Sequence, residues 1–168
     1  MSLDVVMNKI KEDIERVGFS IIATTTGEGG FTFAYTVGLS LQGHPEVLLK
    51  GLPPAIMHDL LHNYYDLIQK KGTPAVNAEV QGILGGGLSV IMCELPDNVY
   101  DDYLIQAGNF FGWENKFKAL GMIWPDAEGL FPHEEGFDIK GLPEGNQFLA
   151  DYIAPEEILR VLAANEIN

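Results

Sequence analysis

Large apolar and small side chains alternate along residues 31–39, and this period of two is typical of a β-strand with one buried face. The large series is Phe31, Phe33, Tyr35, Val37 and Leu39, and the small series is Thr32, Ala34, Thr36 and Gly38. A face without bulk lets a neighbour approach closely, and that neighbour is more commonly a packed helix or sheet than a ligand. The pattern therefore predicts a strand whose small face lies close against another element.

Spacings of three and four residues between apolar positions predict two longer helices. The first runs from Leu3 to Val17, and the second runs from Pro53 to Lys70 and opens with two prolines. Short apolar runs predict further strands at 19–26, 46–52, 88–95 and 117–124, and shorter helices at 97–107 and 155–162. Glycines within residues 27–30 predict a hairpin between the first two strands.

These elements predict one α+β domain that spans residues 1–168. We expect an antiparallel sheet of about five or six strands, flanked by about three or four helices. A partly open barrel is one form that such a sheet takes. The order of hairpin, strand, helix and strand resembles the flavin reductase split barrel, in pattern alone.

Composition and charge narrow the classes of function. The chain has 10 basic and 24 acidic residues and a formal net charge of −14, which disfavours binding to nucleic acids and to anionic membranes. The sequence contains no run of about 18 apolar residues, so we expect no membrane span. Nothing at the N-terminus resembles a signal peptide, so we expect a cytoplasmic protein. The single cysteine, Cys93, lies in an apolar run and is expected to be a buried thiol.

The candidate functional residues suggest a small-molecule pocket between the 35–46 turn and the 124–138 loop. Its expected lining residues are Tyr35, Thr36, Gly38, His44, Trp124, Asp126 and His133. His44 and His133 are the candidate catalytic acid or base, because histidine titrates near neutral pH. Tyr35 and Trp124 have rings that stack on planar ligands. FMN is one such ligand, but Lys50 is the only basic residue nearby for its phosphate, so the cofactor stays open.

Two other classes of function stay open alongside the pocket. His58 and His62 lie four residues apart on the second predicted helix, a spacing at which both can reach one metal ion. A residue such as His44 or His133 would supply a further ligand, although an ordinary surface helix is commoner than a metal site. Alternatively, the acidic surface belongs to a protein-interaction or regulatory module that has no catalytic activity. The sequence does not determine the oligomeric state, the reaction or the ligand.

Two stretches carry a resemblance to a known family. They read FAYTVGL followed by GHPEVLLKGLPP, and IWPDAEGLFPHEEGFD at residues 123–138. Both resemble the pattern of the domain-of-unknown-function 4262 family of small bacterial and phage proteins. In the second stretch, His133 stands where the family pattern has an aromatic residue after Phe-Pro. The resemblance implies a family but no reaction.

Overall fold

The computed structural model describes residues 2–25, 32–126, 128–131 and 134–135. Within these ranges its helices are α1 (Leu3–Val17), α2 (Pro54–Lys71), α3 (Asp97–Tyr103) and α4 (Ile105–Phe111), with a 3-10 turn at Leu39–Gln42. Its strands are β1 (Ser20–Thr25), β2 (Thr32–Val37), β3 (Glu46–Lys50), β4 (Glu79–Val80), β5 (Val90–Glu94) and β6 (Ala119–Ile123). The turn predicted at 27–30 and the helix predicted at 155–162 lie outside the described residues.

The strands form one open sheet in the order β1-β2-β3-β6-β5-β4. All neighbouring pairs are antiparallel except β3 and β6, which run parallel. The α+β prediction is confirmed, but the sheet is mixed rather than purely antiparallel, and it does not close into a barrel. The parallel pair is possible because the chain between β3 and β6 is a long crossover that contains α2, α3 and α4.

Helices cover both faces of the sheet and create two hydrophobic cores. On one face, β2 contributes Phe33, Tyr35 and Val37 to a core that also contains residues of α1, α3 and α4. On the other face, Ala34 belongs to a core that contains the buried side of α2. The small face predicted for this strand therefore lies against α2, where a larger side chain would hold the helix away.

The helix predicted at 97–107 is interrupted at Leu104. This residue has φ −92° and ψ 40°, outside the helical region, and separates α3 from α4. Its side chain is fully buried in the first core. Periodicity did not reveal the break because Leu104 fits the apolar spacing of a continuous helix.

Cys93 lies on β5, the strand next to the edge strand β4, opposite Gly121 of β6. Its side chain is fully buried, as the sequence indicated. Burial raises the pKa of the thiol to about 12, so the reactive thiolate is scarce at neutral pH. Cys93 is therefore a packing residue in the folded protein.

No helix within the described ranges is both long and apolar enough to cross a membrane.

Asp13 connects α1 to the first strand of the sheet. Its carboxylate accepts hydrogen bonds from Ser20 Oγ at 2.7 Å, Lys9 Nζ at 2.8 Å and Arg16 Nη2 at 3.1 Å. Burial raises the pKa of Asp13, but these hydrogen bonds outweigh burial and lower it to about 2. The ionised carboxylate therefore stabilises the packing of α1 on β1.

We predict that Asp13→Asn lowers the free energy of unfolding by about 1 kcal/mol at pH 7, a modest value because Lys9 and Arg16 are exposed to solvent. The pKa is depressed in the folded state, so the stabilisation is complete above the ordinary value of 3.8 and disappears as the pH falls through about 2. Urea unfolding of both proteins at pH 7 and near pH 2 tests this sign.

Asp101→Asn is the matched control, because Asp101 is an exposed aspartate on α3. We expect it to change stability by less than about 0.5 kcal/mol at either pH. A deficit of Asp13→Asn that is equally large near pH 2 would contradict the role given to the charge.

Candidate functional site

A buried carboxylate, that of Glu46, organises the connection between β2 and β3. Its Oε1 accepts hydrogen bonds from Thr36 Oγ1 at 2.8 Å and from the Leu39 backbone N–H at 3.1 Å. Its Oε2 accepts from the backbone N–H groups of Ser40 at 2.9 Å and Gly38 at 3.2 Å. We call these donors and the carboxylate the Glu46 nest. The 3-10 turn therefore has a side chain from the next strand at its N-terminal end.

The local sequence explains how this nest forms. Gly38 has a φ of 124°, and a Cβ atom there would lie only 2.9 Å from Ile14 Cγ1, so glycine satisfies both the backbone and the space. Thr36 Oγ1 also accepts a hydrogen bond from the Val47 backbone N–H at 2.9 Å, which orients the hydroxyl proton towards Glu46. The small face predicted for β2 thus supplies donors as well as space.

The electrostatic balance at Glu46 has two opposing contributions. Burial is the larger contribution and raises the pKa of the carboxyl group above its ordinary value, although hydrogen bonds from the Ser40, Thr36 and Leu39 groups oppose this shift. Each oxygen receives two donors, so an added proton would displace one of them. The geometry therefore favours the ionised carboxylate as an internal structural ligand.

The opposite end of β3 is held by two further contacts. Lys50 is buried, and its Nζ lies 2.9 Å from Tyr103 Oη and 4.9 Å from the centre of that ring. The Lys50 carbonyl accepts a hydrogen bond from Trp124 Nε1 at 3.0 Å. Both charged ends of this otherwise apolar strand are therefore engaged with the surrounding fold.

Tyr35 and Trp124, the two aromatic residues expected in one pocket, are buried on opposite faces of the sheet. Tyr35 belongs to the core under α1, α3 and α4, and its hydroxyl accepts a hydrogen bond from the Gln106 backbone N–H at 2.9 Å. Burial raises the pKa of Tyr35 to about 12. Trp124 belongs to the core under α2. The structure does not bring these two rings together.

The described part of the 124–138 loop is ordered by Asp126. Its Oδ1 accepts hydrogen bonds from the backbone N–H groups of Glu128 and Leu130, both at 2.9 Å, as is typical of aspartate in a turn. His133, the second candidate acid or base, lies outside the described residues, and its role stays a prediction. Direct ligand contacts by Thr36, Gly38 and Asp126 also stay predictions.

His44, one of the predicted site residues, lines an open cavity. This cavity, which we call the turn groove, has a volume of about 460 Å³. One wall comes from the turn that follows Gly38 and the other from the segment after α4. The lining residues are Ser40, Leu41, Gly43, His44, Pro45, Phe111, Asn115, Lys116, Phe117 and Lys118. Residues of the 35–46 turn border this cavity, and its other wall among the described residues is 111–118, whereas the prediction placed the 124–138 loop there.

The side chains of the turn groove are oriented by contacts with one another and with the end of α2. His44 Nδ1 lies 2.8 Å from Thr73 Oγ1, just beyond the end of α2. Asn115 Nδ2 donates to the Phe111 carbonyl at 2.8 Å, which caps α4. The rings of Phe111 and Phe117 pack with their centres 5.2 Å apart. Both walls therefore have defined positions.

His58 and His62 line a second cavity of about 830 Å³, between α1, β1 and α2. Burial and the neighbouring His58 lower the pKa of His62. Among the described residues, no group of three histidine, cysteine or acidic side chains is placed to hold a metal ion. His44 lies too far from the pair to be a third ligand. It contacts Thr73, which lies just beyond the C-terminal end of α2. His58 lies about 20 Å from that end, at a helical rise of about 1.5 Å per residue.

Two features of the site were missed in the sequence. Glu46 was treated as part of a buried strand, although a charged residue directly before three buried apolar ones signals an internal partner. Lys116 and Lys118 flank Phe117 in a strongly acidic chain, and this basic-aromatic run was a local signal for an anion site. Neither signal identifies the partner, because the contacts are made in the folded chain.

We predict that Glu46→Gln lowers the free energy of unfolding by about 2–4 kcal/mol, because the amide group turns at least one acceptor into a donor that faces N–H groups. Denaturant unfolding at pH 7 measures the change. Glu94→Gln is the matched control at an exposed strand end and is expected to change stability by less than about 0.5 kcal/mol. Equal stability of Glu46→Gln and the native protein would show that the nest does not stabilise the fold.

Comparison with known proteins agrees with the family resemblance of the two motif stretches, which contain Glu46, Trp124 and Asp126. No curated protein matches the chain significantly, and neither does any solved structure. A family model described as a domain of unknown function (DUF4262) matches residues 13–138, which is most of the chain. The chain therefore belongs to the DUF4262 family.

Proposed function

We propose that the chain binds a small organic anion with an apolar or aromatic portion in the turn groove. The observation that carries this proposal is the charge of the lining. Lys116 and Lys118 contribute two positive charges, and none of the described lining residues is acidic. The second cavity, by contrast, is lined by the carboxylates of Asp13 and Asp59.

A bound ligand experiences the charges close to it more strongly than the net charge of the protein. The chain carries a formal charge of −14, which would repel an anion from most of its surface. At physiological ionic strength, however, exposed charges are largely screened beyond about 8 Å. Lys116 and Lys118 are therefore the exposed charges that act most strongly on a ligand inside the groove. A positively charged groove on an acidic protein favours an anion over a neutral analogue.

The apolar part of the groove favours a ligand with a ring. Phe111 and Phe117 are half-buried, and Leu41 is 61% exposed beside them. Aromatic rings pack favourably on such a surface when their centres lie within about 4.5–7 Å. The volume of about 460 Å³ lies in the range of ordinary small-molecule sites.

The walls are connected, so binding needs little reorganisation. The Glu46 backbone N–H donates to the Lys118 carbonyl at 2.9 Å, which joins the strand after the turn to the cationic segment. The Glu46 nest fixes the turn itself. A pre-ordered site loses less entropy on binding than one that must first assemble. His44, at the groove wall, is the residue available for proton transfer to a bound ligand.

The test uses two fluorescent probes that differ mainly in charge, 8-anilinonaphthalene-1-sulfonate and the uncharged N-phenyl-1-naphthylamine. We expect saturable binding of the sulfonate and at least about tenfold weaker binding to the Lys116→Glu/Lys118→Glu variant, since reversal of two nearby charges is worth about 1.4 kcal/mol or more. Binding of the uncharged probe should change little. A native mass spectrum of the untagged protein as purified then identifies any retained natural ligand.

Lys11→Glu/Lys70→Glu is the control with the same change of net charge at exposed helix positions outside the groove. It should leave the affinity for the sulfonate within about twofold. Equal weakening in both double variants would mean that only overall charge matters and would contradict the proposal. Circular dichroism must show that each variant is folded, because partly folded proteins also bind the sulfonate.

A further inference from the structure

The second cavity, of about 830 Å³, follows the edge of the sheet and is separate from the turn groove. Within the described residues β1 pairs with β2 alone, so its other edge faces this cavity. Lys9 and Arg16 line it from α1, and Asp59 lines it from α2. Two positive charges, Lys9 and Arg16, stand against two negative charges, Asp13 and Asp59, so the lining does not repel a cation overall.

His58 and His62 face this cavity as a pair. They lie one turn apart on α2, and the centres of their rings are 4.4 Å apart. His62 also packs edge-on against Phe19, with ring centres 5.0 Å apart, which restricts the orientation of its imidazole. The His58 side chain is 58% exposed and can rotate towards its neighbour at little cost. The pair therefore has one oriented ring and one adjustable ring.

We propose that His58 and His62 bind a divalent transition-metal ion, with water or a bound ligand in its remaining positions. Imidazole nitrogen is a preferred ligand of Ni²⁺, Cu²⁺ and Zn²⁺, and histidines at positions i and i+4 of a helix reach a common ion. Mg²⁺ and Ca²⁺ are excluded as the intended ions, because they require oxygen ligands.

The surroundings indicate an open, exchangeable site and not a closed structural one. The Asp13 carboxylate accepts hydrogen bonds from Lys9, Arg16 and Ser20, so it is already engaged. Structural zinc sites have four protein ligands, whereas open positions are typical of sites at which a ligand or water binds the ion. His58 and His62, moreover, belong to neither of the two hydrophobic cores. The proposed site therefore adds a function to the cavity, and it does not depend on the proposed turn-groove ligand.

Ni²⁺ is the probe, because imidazole nitrogen suits it as a ligand and because it is paramagnetic. In the untagged native protein, we expect substoichiometric Ni²⁺ to broaden the ring signals of His58 and His62 before those of the other two of the four histidines. Calorimetry should give one saturable site. His58→Ala and His62→Ala should each weaken it by at least about tenfold.

His44→Ala is the matched control and should leave the Ni²⁺ affinity within about twofold, because His44 lies in the turn groove. Excess Zn²⁺ should displace Ni²⁺, and excess Mg²⁺ should not. Binding that persists in the His58→Ala/His62→Ala double variant would overturn the proposal, and so would first broadening at His44 or His133. The broadening experiment needs no variant, so a folding defect in His62→Ala does not weaken the test.

Discussion

A carboxylate that leaves water for a protein interior costs several kcal/mol unless the fold supplies donors for its oxygens. Glu46 is fully buried and receives four donors from the five residues between Thr36 and Ser40. These donors have this geometry in one conformation of the connection, so the charge selects that conformation against alternatives. β3 begins at Glu46 and pairs with both β2 and β6, and the turn groove is formed by the same connection. Sheet register and cavity shape therefore have a common origin.

Local patterns predicted the elements more closely than their assembly. The helix at Leu3–Val17 was predicted at its observed bounds and α2 within one residue, because an amphipathic helix carries its burial pattern in its own sequence. The parallel pairing of β3 and β6 was not predictable in this way. Alternation identifies which face of a strand is buried but not which distant strand lies beside it. The prediction of an antiparallel sheet therefore failed at that pair.

In the candidate site, too, local features were predicted and their assembly was not. Thr36 and Gly38 stood out because their strand face is small, and the structure shows their polar groups bound to Glu46. Tyr35 and Trp124 lie on opposite faces of the sheet. Their orientations depend on strand pairing and could not be predicted from either motif alone. The turn groove unites residues 40–45 with residues 111–118. A site formed across that sequence distance depends on the crossover between β3 and β6.

The position of Cys93 gives the protein a natural chemical reporter. It is the single cysteine of the chain, and it lies on a paired strand of the sheet with no exposed surface. An alkylating reagent reaches such a thiol when the strands around it separate, so the rate of labelling measures how often the sheet opens. Each molecule whose sheet has opened gains the mass of one alkyl group, which can be detected even in a crude mixture. A ligand or metal ion that stabilises the paired strands would slow the alkylation, and this change can be measured without a dye or a tag.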